Sequence, residues 1–575
     1  MATKVNKTVA AKPTNGKSPA AKPRRRESID RAFQALRQLI DESDSGAIAK
    51  PGLKGGKDTG GKSPAPLAEA TQIQLYEDDP FLKAVAGAEP VPAEPISGDV
   101  PENDHELLQT AITGNQPDPD VFDPGTPEFL YWNAESALAR GINFWAPLLP
   151  KGTVWSAASP LPVALDAGID LNAFFARDEG LKFFHDEIEG DTVFSVESPD
   201  VVCHELGHAL LDALKPELFD AMSLEVGAFH ESFGDMSGML CALQLPSMRE
   251  FVLEETGGDL TLNSRLSQTA RELGWAIRTF APDAVDADCL RNAANSFFYR
   301  DPATLPPDAP ATELSSEVHS FSRVFSGAFL VVLAGMFEIG PATSAADDSE
   351  KLAAVAEDAG RLLIEGVRIA PVGASYFSQV AAGMIQADQS LFGGRYRTAL
   401  IGSFVRRGIL APESAVALAR DLRAHAGREF GIAAVAPRTQ HLQFEGDNEG
   451  YKKSGADAPS LPLRPLTTRF GATFHVHMPT ESNRFGVASA AVAGGAEPSS
   501  SAEEDARSFV EDLIQLGRIS DEGAPGVIPA ELIPATAVYP TDKTHRLVKE
   551  DGKVVLKRHH FCCGFRGSFG CRRGQ

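Results

Sequence analysis

The sequence predicts an α+β fold in which a strand-rich region precedes a longer helical one. Residues 151–200 contain short stretches bounded by turn residues, including 170–175 and 181–185, and such stretches are typical of strands. From residue 201 to 409 apolar residues recur at helical spacing, as in the long apolar run at 325–337. Strands followed by helices favour two lobes with a cleft between them.

Residues 1–125 are expected to be a disordered tail. They are rich in Lys, Ala, Pro, Gly and Ser, as in AAKPTNGKSPAAKPRRR and KPGLKGGKDTGGKSPAP. Such a composition cannot bury enough apolar surface to offset the entropy of ordering the chain. We expect order to begin near Thr126, where Thr126 and Pro127 form an N-cap and first-turn pair before a helix over 129–145.

Bulk properties exclude several classes of protein. A net charge of −24 over 575 residues argues against nucleic acid as the main partner. Six cysteines in so long a chain are not a disulfide framework. No apolar run is long enough to span a bilayer, and no apolar segment follows the basic N-terminus as in a secretory signal. The default expectation is a cytoplasmic protein, with export lacking a cleaved signal as the alternative, and the sequence does not indicate an oligomeric state.

The segment VVCHELGHALLDAL predicts a metal site. It places His204 and His208 four residues apart within an apolar stretch of helical spacing, so both imidazoles face one side of a helix and can bind one Zn²⁺. Glu205 lies beside them, where it can take a proton from a metal-bound water. In the next predicted helix, GAFHESFGDMSG, Glu231 is placed to be the third ligand, and Asp235 can orient a ligating histidine.

With these motifs the chain resembles the thermolysin-like neutral zinc metallopeptidases, which are glutamate zincins. The resemblance runs from about residue 129 to 409, roughly half of the chain. Besides HELGH, four segments match the family in the same order: NAFF at 172–175, GAFHESFGD at 227–235, LR at 290–291 and VHSFS at 318–322. It implies a two-lobed zincin with a cleft between a small strand-rich lobe and a helical lobe. The expected boundaries are 126–235 for the N-terminal catalytic lobe with the HExxH helix, 236–410 for the helical catalytic lobe and 411–575 for a C-terminal extension of unassigned role, where the composition changes.

The resemblance also implies roles for residues outside the metal site. His319 would stabilise the transition state. Asn172 and Ala173 would hold the substrate backbone as an added β-strand. Arg291 would contact a substrate carbonyl, and an apolar pocket would accept the residue after the scissile bond; the pocket residues are Val201 and Leu290.

Three positions depart from the family pattern near the catalytic residues. His230 stands where the family has asparagine before the metal-binding glutamate. Met222 lies near the position of a tyrosine that helps to bind the oxyanion, and it cannot donate a hydrogen bond. Leu314 occupies the position of the aspartate that orients the catalytic histidine, with Glu313 or Glu317 as substitutes.

The paired calcium site of the family is doubtful in this chain. Asp200 matches one calcium ligand, but Ala242 stands where a second acidic ligand is expected. The expected cofactor is therefore Zn²⁺ alone.

Beyond residue 410 we expect a helix near 413–429, another near 502–516 and a hairpin at 546–557 with its turn at Asp551-Gly552. The C-terminal cysteines Cys562, Cys563 and Cys571 follow two histidines, but their spacing matches no standard zinc finger. A flexible basic tail is the favoured interpretation, and a second metal site is the alternative.

Together these features predict a zinc-dependent endopeptidase that cleaves peptides or proteins, with an apolar residue preferred after the scissile bond. The alternative is a catalytically weak or silent zincin that serves as a binding module. Met222 is the main feature that favours this alternative.

Overall fold

The computed structural model describes residues 72–84, 89–103, 105–429, 461–480, 501–532 and 540–563, with only the backbone of 421–429. Residues 1–71 of the predicted tail, and Cys571, lie outside this part of the chain.

The fold is α+β, as predicted. The described residues form twelve α-helices: α1 (Pro127–Trp145), α2 (Pro199–Leu214), α3 (Glu217–Asp220), α4 (Leu224–Ala242), α5 (Pro246–Thr256), α6 (Arg271–Arg278), α7 (Val318–Ile339), α8 (Asp348–Ile369), α9 (Tyr376–Phe392), α10 (Arg397–Arg406), α11 (Pro412–Glu429) and α12 (Ala502–Gln515). The strands are β1 (Gln72–Leu75), β2 (Phe81–Lys83), β3 (Val91–Pro92), β4 (Ile96–Asp99), β5 (Thr110–Ile112), β6 (Leu161–Ala164), β7 (Ala173–Ala176), β8 (Gly180–Phe183), β9 (His185–Ile188), β10 (Asp191–Phe194), β11 (Gln268–Thr269), β12 (Arg291–Asn292), β13 (Leu463–Thr467), β14 (Thr473–His477), β15 (Ile519–Ser520), β16 (His545–Glu550), β17 (Lys553–Arg558) and β18 (Phe561–Cys562).

The prediction that order begins near Thr126 is wrong, because five short strands precede that residue. β1 pairs antiparallel with β4, and β5 joins β6 in parallel. Ile73 is fully buried in a cluster with Leu75 and Trp132. This region is poor in apolar residues, yet it folds because α1 and β6 supply the surface and the pairing partner that it lacks.

One five-stranded sheet borders the candidate site. Its order is β18-β7-β8-β6-β5. β7 pairs antiparallel with β8, while β6 pairs in parallel with both β8 and β5. β18, from the far C-terminus, pairs antiparallel with the other edge of β7.

Several predicted elements are confirmed. α1 begins at Pro127, and the Thr126 hydroxyl caps it by accepting the amide of Phe129. The β16–β17 hairpin turns at Asp551 and Gly552, whose φ angles of 48° and 75° are those that a type I′ turn requires.

α7 is the one helix of the described residues that is long and apolar enough to cross a membrane. Of its most apolar window, 89% is buried inside the protein. It packs against α4 in the helical core, which accounts for its composition.

The C-terminal extension has its own five-stranded sheet, ordered β13-β14-β17-β16-β15, and packs against the helical region. The amide of Met222 donates to the carbonyl of His477, and the Ser316 hydroxyl donates to Asp512 in α12. The prediction of a flexible tail is therefore wrong for residues 558–563, which include the last residue of β17 and the whole of β18.

Helices α8 and α9 approach so closely that a glycine is required between them. A Cβ on Gly383 would lie 2.6 Å from the carbonyl oxygen of Gly366 and 3.1 Å from its Cα, both backbone atoms. We expect Gly383→Ala to reduce the free energy of unfolding by about 1–3 kcal/mol, because the helices must separate.

The matched control is Gly402→Ala, in the interior of α10, where an added Cβ meets nothing within 4 Å. That change should increase stability by about 0.5–1 kcal/mol through helix propensity. Urea unfolding followed by circular dichroism compares the two variants, and equal effects would contradict the close approach of α8 and α9.

Candidate metal centre

Helix α2 brings two imidazoles and a carboxylate together, as its spacing predicts. Single ligand atoms of His204, Glu205 and His208 lie within 4.8 Å of one another. All three side chains are fully buried. Two imidazoles one helical turn apart form one half of a tetrahedral metal site.

Helix α4 adds the third ligand candidate. The Oε2 atom of Glu231 lies 3.4 Å from Nε2 of His204, and its Oε1 atom lies 3.8 Å from Nε2 of His208. Both Nε2 atoms and Oε2 of Glu231 are buried without a conventional hydrogen-bond partner. Unpaired buried polar atoms are rare in folded proteins, and three of them that converge are the donor set that a divalent metal needs.

Asp235 fixes the ring of His204. Its Oδ1 lies 3.2 Å from Nδ1 of His204 and 2.8 Å from Nη2 of Arg291. Burial disfavours the charged imidazole, but the nearby carboxylates of Asp235 and Glu231 outweigh this and raise the pKa of His204 to about 9. Since Nδ1 is engaged with Asp235, as predicted for this pair, Nε2 is the nitrogen left for the candidate metal position.

His230 lies beside the second ligand candidate. Its Nδ1 is 3.4 Å from Nδ1 of His208, which leaves Nε2 of His208 for the metal position. Burial, with the nearby charge of His204, holds the pKa of His208 well below its usual value. Burial and the Arg558 guanidinium also hold the pKa of His230 well below its usual value. His208 is therefore neutral, which is the form that binds a metal.

Glu205 is a buried carboxylate whose pKa is shifted toward neutrality. Burial raises the pKa of its carboxyl to about 8, although His204 opposes the shift. Neither carboxylate oxygen has a conventional hydrogen-bond partner, and the Cys563 thiol is close enough to lower the pKa slightly. A base whose pKa lies near neutrality can both accept and return a proton.

Glu317 is the residue that orients His319. Its Oε1 lies 2.6 Å from Nδ1 of His319, and its other oxygen accepts the His319 amide. Burial disfavours the charged ring, but the carboxylates of Glu231 and Glu317 outweigh it and raise the pKa of His319 well above its usual value. Of the two substitutes considered from the sequence, the structure places Glu317 in this role and not Glu313.

Two departures from the family pattern also have structural counterparts. Met222 is fully buried and brings no side-chain donor, as expected. Asp200 is buried near the carboxylates of Asp78 and Asp79 and the guanidinium of Arg271. The guanidinium lies 2.6 Å from Asp78. A protein cation thus occupies the neighbourhood of the calcium ligand candidate, and the side chain of Ala242 has no oxygen.

Of the predicted substrate-binding residues, some line a common cavity and others lie outside it. Leu290, Arg291 and His319 line one small cavity, and Ala173 lies at the edge of β7. Oδ1 of Asn172 accepts the amide of Ala173. Val201 is buried on α2 one turn before Glu205 and is not among the residues that line this cavity.

The structure also brings a segment to this site that sequence reasoning did not place there. His319 contacts the carbonyl oxygen of Cys562 through Nε2 at 2.5 Å, and Nη1 of Arg291 donates to the carbonyl of Cys563 at 3.0 Å. The Phe561 ring stacks on His230 with centroids 3.9 Å apart. The Cys562-Cys563 pair was considered only as part of a tail or a second metal site, because nothing in its sequence indicates a distant strand partner.

No family model matches the chain, and no curated protein matches it either. The resemblance to thermolysin-like peptidases therefore remains a prediction from motifs.

The packing of α2 against α4 provides a test of the centre. A Cβ on Gly234 would lie 2.5 Å from both Cε1 and Nδ1 of His204, so the imidazole would have to move. We expect Gly234→Ala to reduce the affinity for a divalent metal by about 10–100-fold, the usual effect of disturbing the residues that orient a ligand.

Gly238→Ala is the matched control, one turn along α4. An added Cβ there meets only the Asp200 carbonyl, at an ordinary 3.6 Å. Titration with Co²⁺, followed by visible absorption, measures both affinities. Equal affinities in the two variants would show that His204 is not a ligand.

Proposed function

We propose that this chain is a zinc-dependent endopeptidase with the two-lobed arrangement of the thermolysin-like peptidases. The observation that carries the proposal is a convergence of three groups. The Glu231 carboxylate lies 3.4 and 3.8 Å from the Nε2 atoms of His204 and His208, which have no conventional hydrogen-bond partner. A ligand atom of Glu205 lies within 4.8 Å of both histidines. The strand β18 pairs with β7 and brings the Cys562 carbonyl against His319.

The donor set favours zinc over the harder cations. Two imidazoles and one carboxylate suit zinc, whereas magnesium and calcium prefer oxygen ligands. Three protein ligands leave a fourth position open, as in catalytic rather than structural zinc sites. Zinc bound there would supply an activated water, since it lowers the pKa of water to about 7.

Glu205 is the proposed general base and acid. It would take the proton of the attacking water and pass it to the nitrogen of the leaving amine. Its raised pKa, about 8, makes it a stronger proton acceptor than an exposed carboxylate.

His319 is the proposed donor to the substrate carbonyl. Glu317 holds Nδ1, so that Nε2–H is directed toward the centre, 3.3 Å from Oε2 of Glu231. A preorganised donor of this type typically contributes about 3–4 kcal/mol to stabilisation of the transition state. Because Met222 has no hydrogen to donate, His319 would act without the tyrosine that assists it in the family.

The substrate backbone would add to the edge of β7. Ala173 offers its carbonyl there, and Arg291 donates to a carbonyl further along the bound strand. Recognition through backbone groups in the middle of an extended chain suits an endopeptidase. The buried Leu290 next to Arg291 favours an apolar side chain after the scissile bond.

A silent zincin that serves as a binding module remains the second candidate, favoured by Met222. It would retain the metal ligands but gain nothing from a buried, unpaired Glu205, whose burial is costly. The second test below separates the two candidates.

The first test concerns the metal. The purified chain is expected to contain about one zinc ion, and His208→Ala should lose most of it because only two ligands remain. Mass spectrometry with inductively coupled plasma gives the zinc-to-protein ratio. His185→Ala, a partly exposed histidine on β9, is the control and should keep the metal. An unchanged ratio in His208→Ala would refute the assignment.

The second test concerns Glu205. Glu205→Gln should retain zinc and lose peptide hydrolysis by several orders of magnitude, because the ligands stay while the proton acceptor is removed. Hydrolysis of a peptide library at saturating concentration, with and without chelator, provides the rates. Glu365→Gln, a surface carboxylate on α8, should leave them unchanged. Metal-bound wild-type protein that hydrolyses no peptide would favour the binding module.

A further inference from the structure

The chain places its own C-terminal segment where an extended substrate would lie. β18 pairs antiparallel with the edge of β7, with Phe561 opposite Phe175 and Cys562 opposite Phe174. The amide of Cys563 continues the ladder by donating to the carbonyl of Ala173 at 3.0 Å. An added strand of this kind is a general way in which a protein binds an extended peptide.

Two consecutive carbonyls of this segment are bound by two different side chains. His319 contacts the Cys562 carbonyl, and the same Nε2 lies 3.3 Å from Glu231 at the metal position. Arg291 donates to the next carbonyl, that of Cys563. The Cys562 carbonyl is thus held next to the metal position, and the amide nitrogen that follows it belongs to Cys563.

The residue after this bond is held through both of its backbone groups. The Cys563 amide donates to Ala173, and its carbonyl accepts from Arg291. The proposed base lies at the same place, since ligand atoms of Glu205, His204 and His208 are within 4.8 Å of one another.

Residues on the N-terminal side hold the segment in this register. The imidazole of His560 stacks on Phe174 with centroids 4.6 Å apart, and Nε2 of His559 lies 3.3 Å from Glu179. The Arg558 guanidinium lies 4.1 Å from the centroid of the Phe561 ring. The Cys562 side chain is buried in an apolar cluster with Phe174 and Phe184.

We propose that the Cys562-Cys563 peptide bond is a self-processing site of this chain, cleaved by its own centre. The proposal rests on the proposed endopeptidase activity and names the first substrate of that activity. Water would add across the amide. Its oxygen bonds to the carbonyl carbon of Cys562, the carbon–nitrogen bond breaks, and a proton reaches the nitrogen of Cys563 through Glu205. The products are a chain that ends in the Cys562 carboxylate and a free peptide 563–575 with a new amine.

The cleavage would be intramolecular. Only two residues separate β18 from β17, which is held in the sheet of the extension, so the segment is presented at a high effective concentration. The rate should therefore be first order and independent of the protein concentration.

The experiment uses the full chain, purified with chelator and then supplied with Zn²⁺. Intact-mass spectrometry should show the loss of residues 563–575 over time, at a rate that does not change on tenfold dilution. Glu205→Gln should keep its full mass. Cys563→Pro removes the N–H that bonds to Ala173 and should also stay intact, whereas the matched change Cys563→Ala keeps that N–H and should still be cleaved.

A second readout does not require the zinc-loaded enzyme. In metal-free Glu205→Gln protein, hydrogen–deuterium exchange at the Cys563 amide should be slowed at least tenfold relative to an unstructured peptide of the same sequence. Exchange at the peptide's rate would overturn the proposal, because the strand would not occupy the site.

The outcomes separate this proposal from the one on which it rests. An intact C-terminus in protein that hydrolyses added peptides in a zinc-dependent manner overturns self-processing and leaves the endopeptidase standing. Cleavage at any other bond, or a rate that rises with protein concentration, also overturns it. Zinc-loaded protein that cleaves neither itself nor any added peptide refutes the endopeptidase, and self-processing with it.

Discussion

The buried carboxylate of Asp235 connects the elements that form the candidate site. From α4 it contacts His204 on α2, Arg291 on β12 and Ser326 on α7. Burial opposes its charge, but Arg291 outweighs that effect and lowers the pKa of Asp235 below its usual range. Removing one partner from a buried pair of charges typically costs about 3–5 kcal/mol, since the other is left uncompensated. The relative positions of α2, α4 and β12 are therefore coupled through one side chain, which also fixes the ring that faces the candidate metal position.

The parts of the site that could be predicted from sequence are those whose spacing is local. His204, Glu205 and His208 follow from the period of one helix, and Glu231 with Asp235 from the period of the next. Glu317 lies two residues from His319, and it was one of two substitutes that the sequence offered. Local spacing identified candidates but did not choose between Glu313 and Glu317, because the choice depends on how the chain enters α7.

The missed features depend on pairing between distant segments. Residues 72–125 lack the composition of a core, but β5 obtains a partner in β6 and Ile73 packs against Trp132. β18 is two residues long, and no alternation of apolar and polar residues can indicate so short a strand. Its partner β7 lies in a different part of the sequence, and only the fold of the extension brings the two together. The composition of a segment indicates only how much apolar surface the segment can bury by itself. The predictions of a disordered N-terminal tail and of a flexible C-terminal tail both failed where a second, distant segment supplied the partner.

The edge of β7 offers one row of backbone groups, so β18 and an external peptide must compete for it. A tethered strand competes at an effective concentration in the millimolar range, as is typical of short connections. After hydrolysis of the Cys562-Cys563 bond, the shortened strand would no longer have the hydrogen bonds that the Cys563 amide and carbonyl make with Ala173 and Arg291. Each contributes about 0.5–1.5 kcal/mol, and more where the donor is a charged guanidinium.

The pairing of Phe561 and Cys562 with β7 would remain, and so would the ring contact of Phe561 with His230. Self-processing would thus weaken the hold of the segment on the cleft without emptying it. Access for other substrates would then depend on how readily the shortened strand leaves β7.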